Sequence, residues 1–146
     1  MNRHYEYRYK LAQGFLQELR QDIGLKRWRS AMDNAQLSIE NAAKGVLAVV
    51  GPVGRTHNPA PLLRKLAAED LLSRLPADKV TRLAEIAELL GPDVHIQIDY
   101  GDETETLTPW ELFDEDDAQQ ALLLAEEAVT LLQAIAQQLT GEEGDA

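Results

Sequence analysis

Apolar residues recur along this chain at the three- and four-residue steps of a helix face. The most regular run is Trp28, Met32, Ala35, Ile39, Ala42, Val46 and Val49, which steps 4, 3, 4, 3, 4, 3. Such a seam predicts a long helix that turns one side to a core. The stripe beside it, Asn34, Ser38, Asn41, Gly45 and Ala48, is made of small residues. It predicts close approach by a neighbouring helix, with both asparagines needing partners. Gly51-Pro52 ends the element, since Pro cannot continue a helix. A second long seam, Ala118, Leu122, Ala125, Val129, Leu132, Ala136 and Leu139, repeats the pattern near the other end. Leu123, Leu124, Leu131 and Ile135 widen its apolar arc. Four carboxylates, Asp114 to Asp117, fall at its start, where they complement the positive end of the helix dipole. Gly141 is expected to stop it and the last residues to fray.

Three shorter helices complete the expectation. Residues 10–23 place Ala12, Leu16, Leu19 and Ile23 on one stripe ending near Gly24, with His4 in a frayed end before it. Asn58-Pro59 reads as cap and first turn of a helix carrying Leu62, Leu63, Leu66, Leu71 and Leu72. Pro76 restarts the chain into a helix with Val80, Leu83, Ala84, Ala87 and Leu90 on one face, closed by Gly91-Pro92. Residues 93–110 break the pattern: Val94, Ile96, Ile98 and Tyr100 alternate with His95, Gln97 and Asp99, a period of two that predicts extended chain. The expected fold is therefore all-α. It is an up-and-down bundle of about five helices with an extended arm near residues 93–110, the arm lying across helices or pairing with its copy. Residues 1–146 form one domain with its core at about 10–140 and a frayed tail at 141–146.

Charge changes this picture by splitting the chain. Residues 1–82 carry all 14 Lys and Arg and 8 Asp and Glu, a net of +6; residues 83–146 carry 17 Asp and Glu and no cation, a net of −17. The halves should attract when packed, leaving a net charge of −11 that disfavours nucleic acid as a partner. The absence of Cys excludes disulfide frameworks and thiolate chemistry and fits the cytoplasm. No signal-peptide core and no apolar run of membrane-spanning length is present, so no membrane association is expected.

Candidate chemistry is sparse. There is no Walker or Rossmann glycine loop and no His-Glu-x-x-His, and nothing in the sequence calls for a cofactor or metal. His95 lies with Asp99 near Asp102, Glu103 and Glu105, in a spacing that matches no calcium loop. The strongest candidate is the loop Arg55-Thr56-His57-Asn58 before Pro59, because backbone N–H groups at a helix start, with the Arg55 fork beside them, favour an anion. Lys44, toward the end of the preceding helix, is placed to point at the same loop. It also pairs with Glu40 four residues earlier, as a helix-surface ion pair. Against this stands a purely structural reading, in which Thr56, His57 and Asn58 satisfy the backbone of a tight connection.

The stretch Trp28 to Leu47, then Arg55-Thr56-His57-Asn58-Pro59 and Leu62-Leu63, with the acidic, Ala-rich helix from Asp114 to Leu139, resembles the HEPN domain family (higher eukaryotes and prokaryotes nucleotide-binding). The resemblance implies a four- or five-helix bundle that forms homodimers. It also implies pairing with a minimal nucleotidyltransferase, often as a toxin–antitoxin system. Many members are metal-independent ribonucleases using Arg, a polar residue, four to six further residues and His. That motif is missing: Arg55 is two residues before His57 and Arg82 thirteen before His95. The departure fits a non-catalytic branch binding a nucleotide or a partner through Lys44, Arg55, Thr56, His57 and Asn58. The alternatives are a ribonuclease toxin using His57 as general acid or base, and a structural adaptor whose acidic half docks a basic protein.

Overall fold

The computed structural model describes residues 3–50, 56–69 and 76–144. The described residues form α1 (Arg3–Gly24), α2 (Trp28–Val50), α3 (Ala60–Glu69), α4 (Ala77–Leu89), α5 (Pro92–Tyr100), the single turn α6 (Pro109–Leu112) and α7 (Glu115–Gly144). The all-α expectation holds, and both long seams lie inside. Met32, Ala35, Ile39, Ala42 and Val46 of α2 are buried, as are Ala118, Ala125, Val129, Leu132, Ala136 and Leu139 of α7. α2 is the central helix, packed most extensively against α1 and α7. α3 pairs with α4, and α4 closes the bundle against α2 and α7.

The small-residue stripe works as its composition suggests. A Cβ built on Gly45 would sit 2.8 Å from Leu132 Cδ1, so the missing side chain is what lets α7 reach α2. Ser38 Oγ donates to the Ala12 carbonyl at 2.8 Å across the α1–α2 contact. Both asparagines find partners: Asn34 Nδ2 donates to Asp22 Oδ2 at 2.7 Å, while Asn41 donates to the Leu37 carbonyl at 2.9 Å and accepts from Arg8 at 3.0 Å.

The oppositely charged halves are pinned together by side chains. Arg82 grips Glu127 through Nε at 2.7 Å and Nη2 at 2.9 Å, and Arg20 meets Glu126 at 3.3 Å. Arg64 forks onto Glu88, and Arg29 reaches Asp99 at 3.4 Å. The guanidinium hydrogen bonds hold Glu88 and Glu127 below the ordinary carboxylate range and raise Arg64 and Arg82.

Several expectations are corrected. The segment from residue 92 is not an extended arm: Pro92–Tyr100 is the helix α5, with Gly91 at its N-cap and Pro92 in its first turn. Val94 and Ile98 are four residues apart and so share the face turned inward, while Ile96 and Tyr100 share the exposed one. Only the turn after α5 is extended, closed by a bridge between Asp102 and Leu107. There Gly101 has φ 74°, and a Cβ on it would lie 2.0 Å from the Leu107 carbonyl oxygen. α1 begins at Arg3, taking in His4, because Tyr5 is buried and stacks on Tyr9 at 5.9 Å between ring centroids. Burial is also what raises the Tyr5 hydroxyl pKa. α1 ends at Gly24 as expected, and Lys26, in the left-handed region at φ 58°, turns the chain beyond it. α7 runs through Gly141 to Gly144, so the helix does not stop where the glycine suggested. Leu123 faces outward; Ile135 is buried as expected, and Ala121 and Ala128 widen the buried arc with it. Leu71 and Leu72 lie outside the described residues.

Candidate functional site

α2 carries a polar line inside an otherwise apolar environment. Gln36, Glu40 and Lys44 follow at four-residue steps, and all three are buried. Gln36 and Glu40 share a narrow void with residues 57–59 and with Ala87, Leu90 and Gly91 at the α4–α5 corner. Lys44 Nζ donates to Glu40 Oε2 at 3.4 Å, and Gln36 Nε2 donates to Glu40 Oε1 at 3.4 Å. The His57 imidazole stands outside this line, 93% exposed, with Nδ1 at 3.5 Å from Glu40 Oε1. The pair expected on the helix surface is thus a buried one. Burial follows from the bundle: α2 is flanked by α1, α7 and α4, leaving few of its positions open to water.

Nε2 of the Gln36 amide donates to Glu40, and Gln36 Oε1 is buried with no hydrogen-bond partner among the described residues. An acceptor left in this state costs about 1–3 kcal/mol unless something donates to it. Gln36 forms part of the wall of a cavity of about 330 Å³, together with Thr56, His57, Asn58, Pro92, His95 and Ile96. A smaller void behind it, about 10 Å³, has room for no more than one water. The larger one is of the size small ligands occupy.

Three of the five expected site residues, Thr56, His57 and Asn58, come together at this cavity. Thr56 Oγ1 accepts from the Asn58 N–H at 3.0 Å and so fixes the turn that presents His57. Lys44 does not join them as a free cation, because Glu40 holds it below the surface. Arg55 lies outside the described residues. His95, read from the sequence as part of an acidic turn, is brought across from His57, with Nε2 at 3.8 Å from Asp99 Oδ2. Gln36 was not anticipated; its one signal was a third polar residue in register with Glu40 and Lys44. Among the described residues no three His, Asp or Glu side chains converge to hold a metal. The described walls offer two imidazoles and hydrogen-bonding groups, backed by the Lys44–Glu40 ion pair.

A helical bundle with a Thr-His turn laid over its central helix defines a helical module of the HEPN class. The HEPN domain family model matches residues 5–135, and the chain belongs to that family. The crystal structure of an archaeal HEPN homologue shares its fold, with a TM-score of 0.63 and 23% identity over 93% of this chain and 99% of that one. No curated protein matches the chain. Among the described residues no helix is long and apolar enough to cross a membrane.

Proposed function

We propose that this chain is a non-catalytic HEPN module of the cytoplasm that binds a nucleotide, a minimal nucleotidyltransferase partner, or both, as one member of a toxin–antitoxin pair. The observation that supports nucleotide binding is a buried acceptor, Gln36 Oε1, unpartnered among the described residues, on a side chain that belongs to the wall of the 330 Å³ cavity. A nucleoside supplies amino and hydroxyl donors for such an acceptor. The missing Arg-to-His spacing supports the absence of ribonuclease activity. Homodimerisation belongs to the same proposal, through Ile96 and Tyr100 on the exposed face of α5 or Leu123 on α7, and sedimentation at high micromolar concentration tests it.

Calorimetric titration with adenosine and ATP tests the ligand. Adenosine should bind, and Gln36→Leu should weaken it by about tenfold, the equivalent of one lost hydrogen bond. No heat at millimolar adenosine, or unchanged binding in the variant, removes the nucleoside from this cavity.

One observation favours a second reading. The exposed imidazole of His57 beside the Glu40 carboxylate is the pairing a general acid or base uses. Incubation with total RNA, with His57→Ala as control, separates the two: cleavage lost in the variant would establish the ribonuclease reading in place of the non-catalytic one.

A further inference from the structure

Half of the twelve described Lys and Arg of this acidic chain are matched to a carboxylate: Arg20, Arg29, Lys44, Arg64, Lys65 and Arg82. Lys26 and Arg27 are adjacent at the α1–α2 corner, and neither side chain has an ion pair or hydrogen bond among the described residues. They border a cavity of about 430 Å³ whose other walls are Trp28, Arg29, Ser30, Trp110 and Phe113. Two unmatched positive charges therefore border an aromatic-walled pocket on a protein whose net charge is −11.

The pocket's parts are held in place. Trp110 is 73% exposed, on the turn α6. The Arg29 guanidinium lies 5.9 Å from its ring centroid and is itself tied to the Ile98 carbonyl at 2.8 Å and to Asp99 at 3.4 Å. Arg29 is thereby committed to the protein, and its stacking fixes one side of the indole. Lys26 sits in the left-handed region at φ 58°, where its N–H donates to the Ile23 carbonyl at 3.1 Å and the Arg27 N–H reaches the Asp22 carbonyl at 2.8 Å. Glycine takes that conformation most readily, yet here a lysine occupies it, with Gly24 two positions earlier.

We infer that this corner binds a small anion carrying a planar aromatic ring, of the kind a nucleoside monophosphate presents. The ring stacks on Trp110 and the anionic group is held by Lys26 and Arg27. This site is separate from the Gln36 cavity, which has no free described cation, and the inference stands whether or not that cavity takes a nucleoside.

The chain's two tryptophans both line the pocket, so intrinsic fluorescence reports on it directly. Titration of the full chain with AMP should change the emission saturably. Adenosine, lacking the charge, and inorganic phosphate, lacking the ring, should each act about tenfold more weakly. Arg27→Ala should weaken AMP by about tenfold, whereas Gln36→Leu should leave the AMP response unchanged. Lys26→Gly is the sharper test: it should raise the melting temperature by about 2–4 °C while weakening AMP, two readouts that move in opposite directions. The absence of a saturable response, or an AMP response indifferent to Arg27→Ala and Lys26→Gly, would overturn the assignment. Binding of a single-stranded oligonucleotide about a hundredfold tighter than AMP would overturn it in favour of nucleic acid.

Discussion

The α2–α7 seam and the segment from Pro92 to Phe113 are built on different physics. In the seam the side chains carry the structure: Ile39 and Leu132 are fully enclosed, and Gly45 makes room for Leu132. From Pro92 to Phe113 few side chains are buried, and the backbone carries it. Gly91 and Pro92 start α5, Gly101 turns the chain with a positive φ, and the Glu111 carboxylate accepts from the Thr108 N–H at 3.2 Å and hydroxyl at 2.8 Å at the start of α6. A region held by packing tolerates changes of backbone preference and fails when volume is lost. A region held by turns and caps does the reverse.

That contrast can be attacked from both sides. The largest expected loss is at the buried pair of the seam helix. Lys44→Leu leaves Glu40 charged and buried and should cost about 3–5 kcal/mol, while Glu40→Leu with Lys44→Leu should recover most of it. A double variant as unstable as the single one in chemical denaturation would show that the pair does not act as a unit. Leu132→Ala should cost about 2–5 kcal/mol by opening a cavity between α2 and α7. A melting temperature left unchanged would misplace the seam.

In the other region the same large-to-small logic should matter little and the glycine a great deal. Gly101→Ala combines a strained φ with a clash against the Leu107 carbonyl and should cost about 2–4 kcal/mol. Thr108→Ala should cost about 1 kcal/mol, the usual worth of a helix start. If Thr108→Ala exceeded Gly101→Ala in thermal denaturation, the turn would not be what holds the segment.

The smallest effect distinguishes the regions by pH. Glu111 is held below the ordinary carboxylate range by the Thr108 hydroxyl and N–H, and Asp114 by the Asp117 N–H. Folded values below the unfolded ones mean a contribution fully present above about pH 4 and lost as the pH falls through the lowered values. With Trp28 replaced by Phe so that Trp110 on α6 is the remaining tryptophan, acid titration should therefore disturb its emission before far-ultraviolet dichroism records loss of α2 and α7. Coincident transitions would place the two regions in one cooperative unit.

The same contrast explains what was legible in the sequence. α2 and α7 span 23 and 30 residues, long enough for their apolar steps to exclude any other period. α5 has nine residues, and in so short a run Val94, Ile96, Ile98 and Tyr100 satisfy a period of two and, as the pairs 94/98 and 96/100, a helical one. Its capping glycine and proline were visible but were read as the end of α4. The Thr56-His57-Asn58 turn could be located because it precedes Pro59. Its depth could not: a Glu and a Lys four residues apart look alike on a surface and under a loop, and the orphaned end of Gln36 exists only once Glu40 has claimed the other. Lys26 and Trp110 are 84 positions apart in the chain, so no local pattern could join them.

The clasps from Arg20 and Arg82 onto Glu126 and Glu127, with Arg29 onto Asp99, have a consequence for assembly. They make the acidic back half of the chain an internal counterion for its basic front half. Two pieces cut between α4 and α5 and mixed at low ionic strength should find one another and rebuild the bundle. In molar salt, with those clasps screened, reunion should slow and rest on apolar contact alone.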